Sequence, residues 1–177
     1  ALANARRRRY RPATKDGVAV RLLANVDQID EAREALRYGA EGIGLYRTEF
    51  LFLNRHDLPN EDEQRAAYAE IIEAVAPYSA TIRTLDLGGE KVPTGLDLSE
   101  EQNPALGLRG VRMSHSRPDV FQTQLRALMR ASPSGRLKIL LPMVSSLAEV
   151  EFARATLESV KSELAAEGVA FDRDVPL

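Results

Sequence analysis

From Val18 onward the chain alternates short apolar runs with longer amphipathic stretches. That rhythm constrains the fold more than any other feature, because it is the pattern of β-α-β-α order and a parallel sheet. Strands are expected at residues 18–26, 42–49, 80–87 and 137–144, with helices between and after them. The first helix, residues 27–38, should close at Gly39, since glycine is favoured just past a helix end. Asn60 with Glu63 forms a capping pair ahead of Tyr68, Ile71, Ile72 and Val75, which recur at helical spacing. Ser116, with Pro118 at the first turn, is expected to open another helix with Phe121, Leu125, Leu128 and Met129 as its buried stripe. Ser146 and Glu149 cap a last helix that carries Val150, Ala153, Leu157, Val160 and Leu164 and ends at Gly168. Residues 88–110 show little periodicity and are expected to be a connection. Asn25 reads as the cap of the first helix rather than as a polar liner. Four such units fit half of a barrel or a small open sheet equally well.

Composition narrows the function classes. The 24 Lys+Arg nearly balance 26 Asp+Glu, and 44% of residues are hydrophobic. Neither a disordered chain nor a general nucleic-acid binder is indicated. The run Arg6 to Arg9 lacks an aromatic platform, so residues 1–16 are expected to be a flexible linker and residues 17–177 the globular part. Without cysteine, disulfides, thiolate nucleophiles and thiolate metal sites drop out. No apolar run is long enough to span a bilayer and no secretory signal is present, so a cytoplasmic protein without membrane contact is expected. His56 and His115 sit in polar contexts without metal-ligand spacing and read as surface residues.

Chemistry is expected at the carboxyl ends of the strands, where ligands sit in both candidate architectures. Arg47-Thr48 ends the second strand and Arg83-Thr84 ends the third. An arginine there needs an anion, either a carboxylate or a ligand. The structural alternative pairs Arg47 with Glu49 or Asp86, and Arg83 with another acid. Two arginines in register, followed by Asp86, Gly88, Gly89, Glu90 and Lys91, favour a site for phosphate or carboxylate, which the guanidinium fork suits. Arg109 is a candidate third contact, although it also reads as an ordinary loop cation, like Arg112. The apolar run Phe50 to Leu53 is expected to anchor the loop after the second strand.

Three long motifs carry a resemblance. They are Gly42-Ile43-Gly44-Leu45-Tyr46-Arg47-Thr48-Glu49-Phe50-Leu51-Phe52, then Arg83-Thr84-Leu85-Asp86-Leu87-Gly88-Gly89-Glu90-Lys91, then Glu101 to Arg112, with Leu141-Pro142-Met143-Val144 in support. From about Val18 to its end the chain resembles enzyme I of the bacterial phosphoenolpyruvate-dependent phosphotransferase system. The resemblance implies a (β/α)8 barrel of which the chain holds about the first four units, too few to complete any chemistry alone. It implies Arg47 and Arg83 as the arginines that hold the substrate phosphate, with Arg109 as a secondary contact, beside Asp86 and Lys91, which the residues themselves offer as further candidates. It further implies phosphoryl transfer from phosphoenolpyruvate via an enzyme histidine to a histidine phosphocarrier protein, Mg²⁺ at the substrate, and a homodimer. The transferring histidine and the metal ligands are expected outside this chain, so no catalytic residue is assigned within it. A phosphoenolpyruvate synthase or dikinase barrel, or a non-catalytic scaffold, are the competing readings.

Overall fold

The apolar runs become strands and the amphipathic stretches become helices, in the alternation that the sequence sets up. The computed structural model describes residues 12–53, 55–87 and 107–177. In chain order these form β1 (Ala24–Val26), α1 (Ile29–Arg37), β2 (Gly42–Arg47), a 3-10 turn (Thr48–Leu51), α2 (Glu61–Ala74), β3 (Ser79–Arg83), α3 (Gly110–Ser116), α4 (Pro118–Ala131), a second 3-10 turn (Ser132–Ser134), β4 (Arg136–Leu140) and α5 (Leu147–Ala166). The strands lie side by side in sequence order, and every pairing is parallel. Parallel neighbours need crossovers, which the helices supply. This is the layout of consecutive β/α units of a barrel, and the expected fold class stands.

The helices form where their caps and apolar stripes direct. Asn60 Oδ1 accepts from the Glu63 N–H at 2.9 Å, and the Glu63 carboxylate accepts from the Asn60 N–H at 2.9 Å. Behind that box Tyr68, Ile71, Ile72 and Val75 are at most 1% exposed. Ser146 and Glu149 repeat the arrangement at the start of α5, whose Ala153, Leu157, Val160 and Leu164 are buried. Gly168 ends that region with φ +72°, as glycine there permits. These stripes meet Ile43, Ala80, Ile82, Leu137 and Ile139 of the sheet in one core. Each such side chain contributes about 1.5–3 kcal/mol by leaving water, and that burial holds the helical layer to the strands.

A second cluster of Phe52, Leu85, Leu87, Met113 and Val120 lies just past the strand ends. Phe52 is fully buried there, as its anchoring role requires, whereas Phe50 is 49% exposed.

The strands are shorter than the apolar runs. Residues 12–20 fold back on themselves instead of extending β1, with the Val20 N–H donating to Pro12 O at 2.9 Å. β2 stops at Arg47 because the chain turns into a 3-10 helix, and β3 stops at Arg83. β4 stops at Leu140, three residues before Met143 takes φ +60°. Asn25 is not a cap: it lies in β1 opposite Leu45, and Gln28 caps α1. Gly110, expected in the connection, opens the short α3. Its φ of +57° and the 2.9 Å between a would-be Cβ and Pro142 O leave room for no side chain. Val111 N–H then donates to Pro142 O at 3.0 Å, docking α3 onto the end of β4. The outer side of β4 receives the chain's own C-terminal segment, since the Ile139 N–H donates to Pro176 O at 2.9 Å.

Candidate functional site

Register places the charged residues. Val26 lies opposite Tyr46, and Arg47 opposite Arg83, so Asp27, Arg47 and Arg83 stand in one row across three neighbouring strand ends. Adjacent strands run about 4.8 Å apart, and residues in register point to the same face. Arg47 donates to Asp27 with both arms of its fork, Nη2 reaching Oδ2 at 2.7 Å and Nε reaching Oδ1. Arg83 Nη2 donates to Glu49 Oε1 at 2.9 Å, and its Nη1 lies 3.6 Å from Asp86 Oδ2. Arg109 Nε donates to the other oxygen of Asp86 at 2.8 Å. Glu49 Oε1 also accepts from the Asp86 N–H at 3.0 Å, which ties the turn after β2 to the turn after β3.

Three guanidinium groups and three carboxylates therefore alternate across the mouth. Their side chains differ in access: Arg47 is 44% exposed and Arg83 20%. The hydrogen bond to Asp86 raises the Arg109 pKa further, so this cation stays charged throughout the working pH range. Burial pushes the Tyr46 hydroxyl up to about 12, and the ring beneath the row stays neutral. Among the described residues, Arg83 Nε and Glu49 Oε2 are buried polar atoms without a hydrogen-bond partner. A buried donor left unpaired costs about 1–3 kcal/mol, which an acceptor brought to it would offset.

A buried polar network supports the row from below. Gln124 of α4, 1% exposed, accepts from the Leu85 N–H at 2.9 Å. Its amide nitrogen donates to Tyr68 Oη at 3.0 Å and to Thr48 Oγ1 at 3.3 Å. Thr48 Oγ1 in turn donates to Arg83 O at 3.0 Å. One glutamine thus connects α2 and α4 to both turns that carry the site.

Of the residues singled out from sequence, Arg47, Arg83, Asp86 and Arg109 come together, while Lys91 and the Gly88-Gly89-Glu90 stretch lie outside the described residues, as do the arginines at 6–9. The acid on Arg47 is Asp27, in place of Glu49 or Asp86, because Glu49 turns under Arg83 in the 3-10 segment. Asp27 and Gln124 escaped sequence reasoning, and Thr48 figures there only as the neighbour of Arg47. Asp27 looks like an ordinary helix-start acid, and only its place directly after an apolar run, one strand from Arg47, signals more. Arg112 lies near Glu149 at 3.9 Å and donates to Gly107 O at 3.3 Å. His56 and His115 are exposed, the latter edge-on to Phe152 at 4.5 Å. Among the described residues no group of three or more acidic or imidazole side chains is arranged to hold a metal ion. No helix there is long and apolar enough to cross a membrane.

The chain is 45% identical over 162 residues to the phosphoenolpyruvate-protein phosphotransferase of Haemophilus influenzae, covering 92% of this chain and 28% of that protein. It is 48% identical over 157 residues to the phosphoenolpyruvate-protein phosphotransferase of Geobacillus stearothermophilus, covering 89% and 27%. It is 48% identical over 164 residues to a multiphosphoryl transfer protein of Rhodobacter capsulatus, covering 92% and 20%. The chain thus spans less than a third of the length of these relatives. The family model "PEP-utilising enzyme, PEP-binding domain" matches residues 3–177, and the chain belongs to that family.

Proposed function

We propose that the chain binds phosphoenolpyruvate through Arg47 and Arg83, as the substrate-holding part of a phosphotransferase. The whole protein would pass the phosphoryl group to one of its own histidines and then to a histidine phosphocarrier protein. The observation that carries the reading is the register pairing of Arg47 with Arg83 at the carboxyl ends of adjacent parallel strands. Two planar forks on one face suit a phosphate dianion, and Arg83 Nε is a buried donor still without a partner. Arg109, joined to Arg83 through Asp86, adds charge on the same side. Lys91 is proposed as a further contact.

In this reading the arginines bind and orient the substrate and neutralise charge that spreads over the phosphoryl oxygens as the bond to the leaving oxygen loosens. They form no bond to phosphorus. Glu49 and Asp86 hold Arg83 and Arg109 in place. Mg²⁺ in the whole protein would neutralise further phosphate charge, but the residues described here do not fit a resident metal. Glu49 and Asp86 are engaged by arginine, and no third ligand stands beside them. Residues 1–16 would connect this domain to a preceding one in a cytoplasmic homodimer.

The test is Arg83→Ala in the whole protein. Phosphorylation by phosphoenolpyruvate should be abolished while circular dichroism stays unchanged; undiminished phosphorylation contradicts the assignment.

A further inference from the structure

We propose that Asp27 is a built-in competitor for the anion at Arg47 and sets the affinity of the site. This rests on the reading of Arg47 and Arg83 as phosphate ligands.

The three carboxylates of the mouth do different work. Glu49 and Asp86 are each held by more than one group: Glu49 Oε1 accepts from Arg83 and from a backbone N–H, and Asp86 spans Arg83 and Arg109. They belong to the scaffold of the two turns. Asp27 has no such double task. Among the described residues its carboxylate accepts from Arg47 alone, and it takes the Nε and Nη2 edge of the fork. Its backbone contribution is separate, since the Asp27 N–H donates to Glu31 Oε2 at 2.7 Å whatever side chain stands at 27.

A phosphate bidentate to Arg47 needs a fork edge. On the Nε edge it must displace the Asp27 carboxylate. On the other edge it sits beside that carboxylate and meets a like charge, and at 15% exposure Asp27 is only partly screened by water. Both routes lower affinity. The row order Asp27-Arg47-Arg83 gives the acid no comparable reach to Arg83, which is one strand further away. The Asp27 side chain therefore tunes one arginine of the pair and leaves the other to anchor the ligand.

The experiment is a titration of the 177-residue chain with phosphoenolpyruvate, comparing the unaltered protein with Asp27→Asn, Asp27→Ala, Arg83→Ala and the remote surface variant Glu158→Gln. Both Asp27 variants should bind about three- to tenfold tighter, as expected for removing a partly exposed pair and its charge. Glu158→Gln should match the unaltered chain. The gain should shrink at high salt, where the Debye length falls to about 3 Å. Equal or weaker binding in both Asp27 variants, with binding lost in Arg83→Ala, overturns the competitor role and leaves the substrate assignment standing. Weaker binding would mean that Asp27 holds Arg47 in its working orientation. No response to phosphoenolpyruvate in any variant overturns the site itself and this inference with it.

Discussion

Two regions of the molecule are built from arginines among carboxylates, and the proposed function gives them different jobs. On the helical layer, Arg126 reaches Glu61, Glu163 and Glu167, while Arg130 reaches Glu61 and Asp62. Two arginines of α4 there face four acids, two from α2, one from α5 and one, Glu167, that caps the end of α5. At the strand mouth, three arginines face three acids, and Arg47 keeps 44% of its side chain in solvent. The outer cluster has charge to spare on the acidic side, so an incoming anion would meet repulsion. At the mouth, guanidinium groups stand in register at the end of a parallel sheet, with a donor still unpaired. An ion pair by itself does not separate a brace from a ligand site; the balance of charge and the position on the sheet do.

Breaking each region should therefore have different readouts. The largest effect is expected from the mouth: Arg47→Ala or Arg83→Ala should reduce phosphoryl transfer in the whole protein by orders of magnitude while the fold is retained. Gln124→Leu comes next, because it strips hydrogen bonds from the Leu85 N–H, Thr48 and Tyr68 in a dry interior. A loss of about 2–4 kcal/mol is expected in denaturant unfolding, together with weaker ligand binding. Arg126→Ala should cost about 1–2 kcal/mol, seen as a melting temperature lower by about 3–8 °C, and should leave phosphoenolpyruvate binding unaltered. If Arg126→Ala weakened binding as much as Arg83→Ala, the distinction between the regions would fail. Smallest is the α5 cap, where Ser146→Ala should cost about 1 kcal/mol in thermal unfolding.

The α5 cap also carries a pH signature. Hydrogen bonds from the Ser145 N–H and its neighbours hold the Glu149 carboxyl below its usual value of 4.5. A depressed folded-state pKa stabilises above the ordinary value and loses that contribution as pH falls through the lower, folded one. Acid unfolding should accordingly be shallower in Glu149→Gln than in the unaltered chain.

Where the signal is local, the sequence was readable. The Asn60-Glu63 and Ser146-Glu149 boxes, the glycines after α1 and α5, and the apolar stripes all act over four residues or fewer, so spacing alone reveals them. Strand lengths were not readable, because β2 and β3 end where a turn aims Glu49 and Asp86 back under Arg83. That geometry depends on residues more than thirty positions apart. α3 was hidden for another reason: seven residues give no period to detect, and glycine at its start argues against a helix. At the site, Arg47 and Arg83 stood out because their two motifs match. Asp27 and Gln124 did not, since their partners come from register and packing that no short window contains.

Binding at the strand ends can be followed through the backbone amide resonances of the ¹⁵N-labelled chain during addition of phosphoenolpyruvate. Saturable shifts are expected to concentrate at residues 27, 47–49, 83–86 and 109, with α5 unmoved. Shifts spread along the Arg126 and Arg130 cluster, or none at the strand ends, would contradict the assignment.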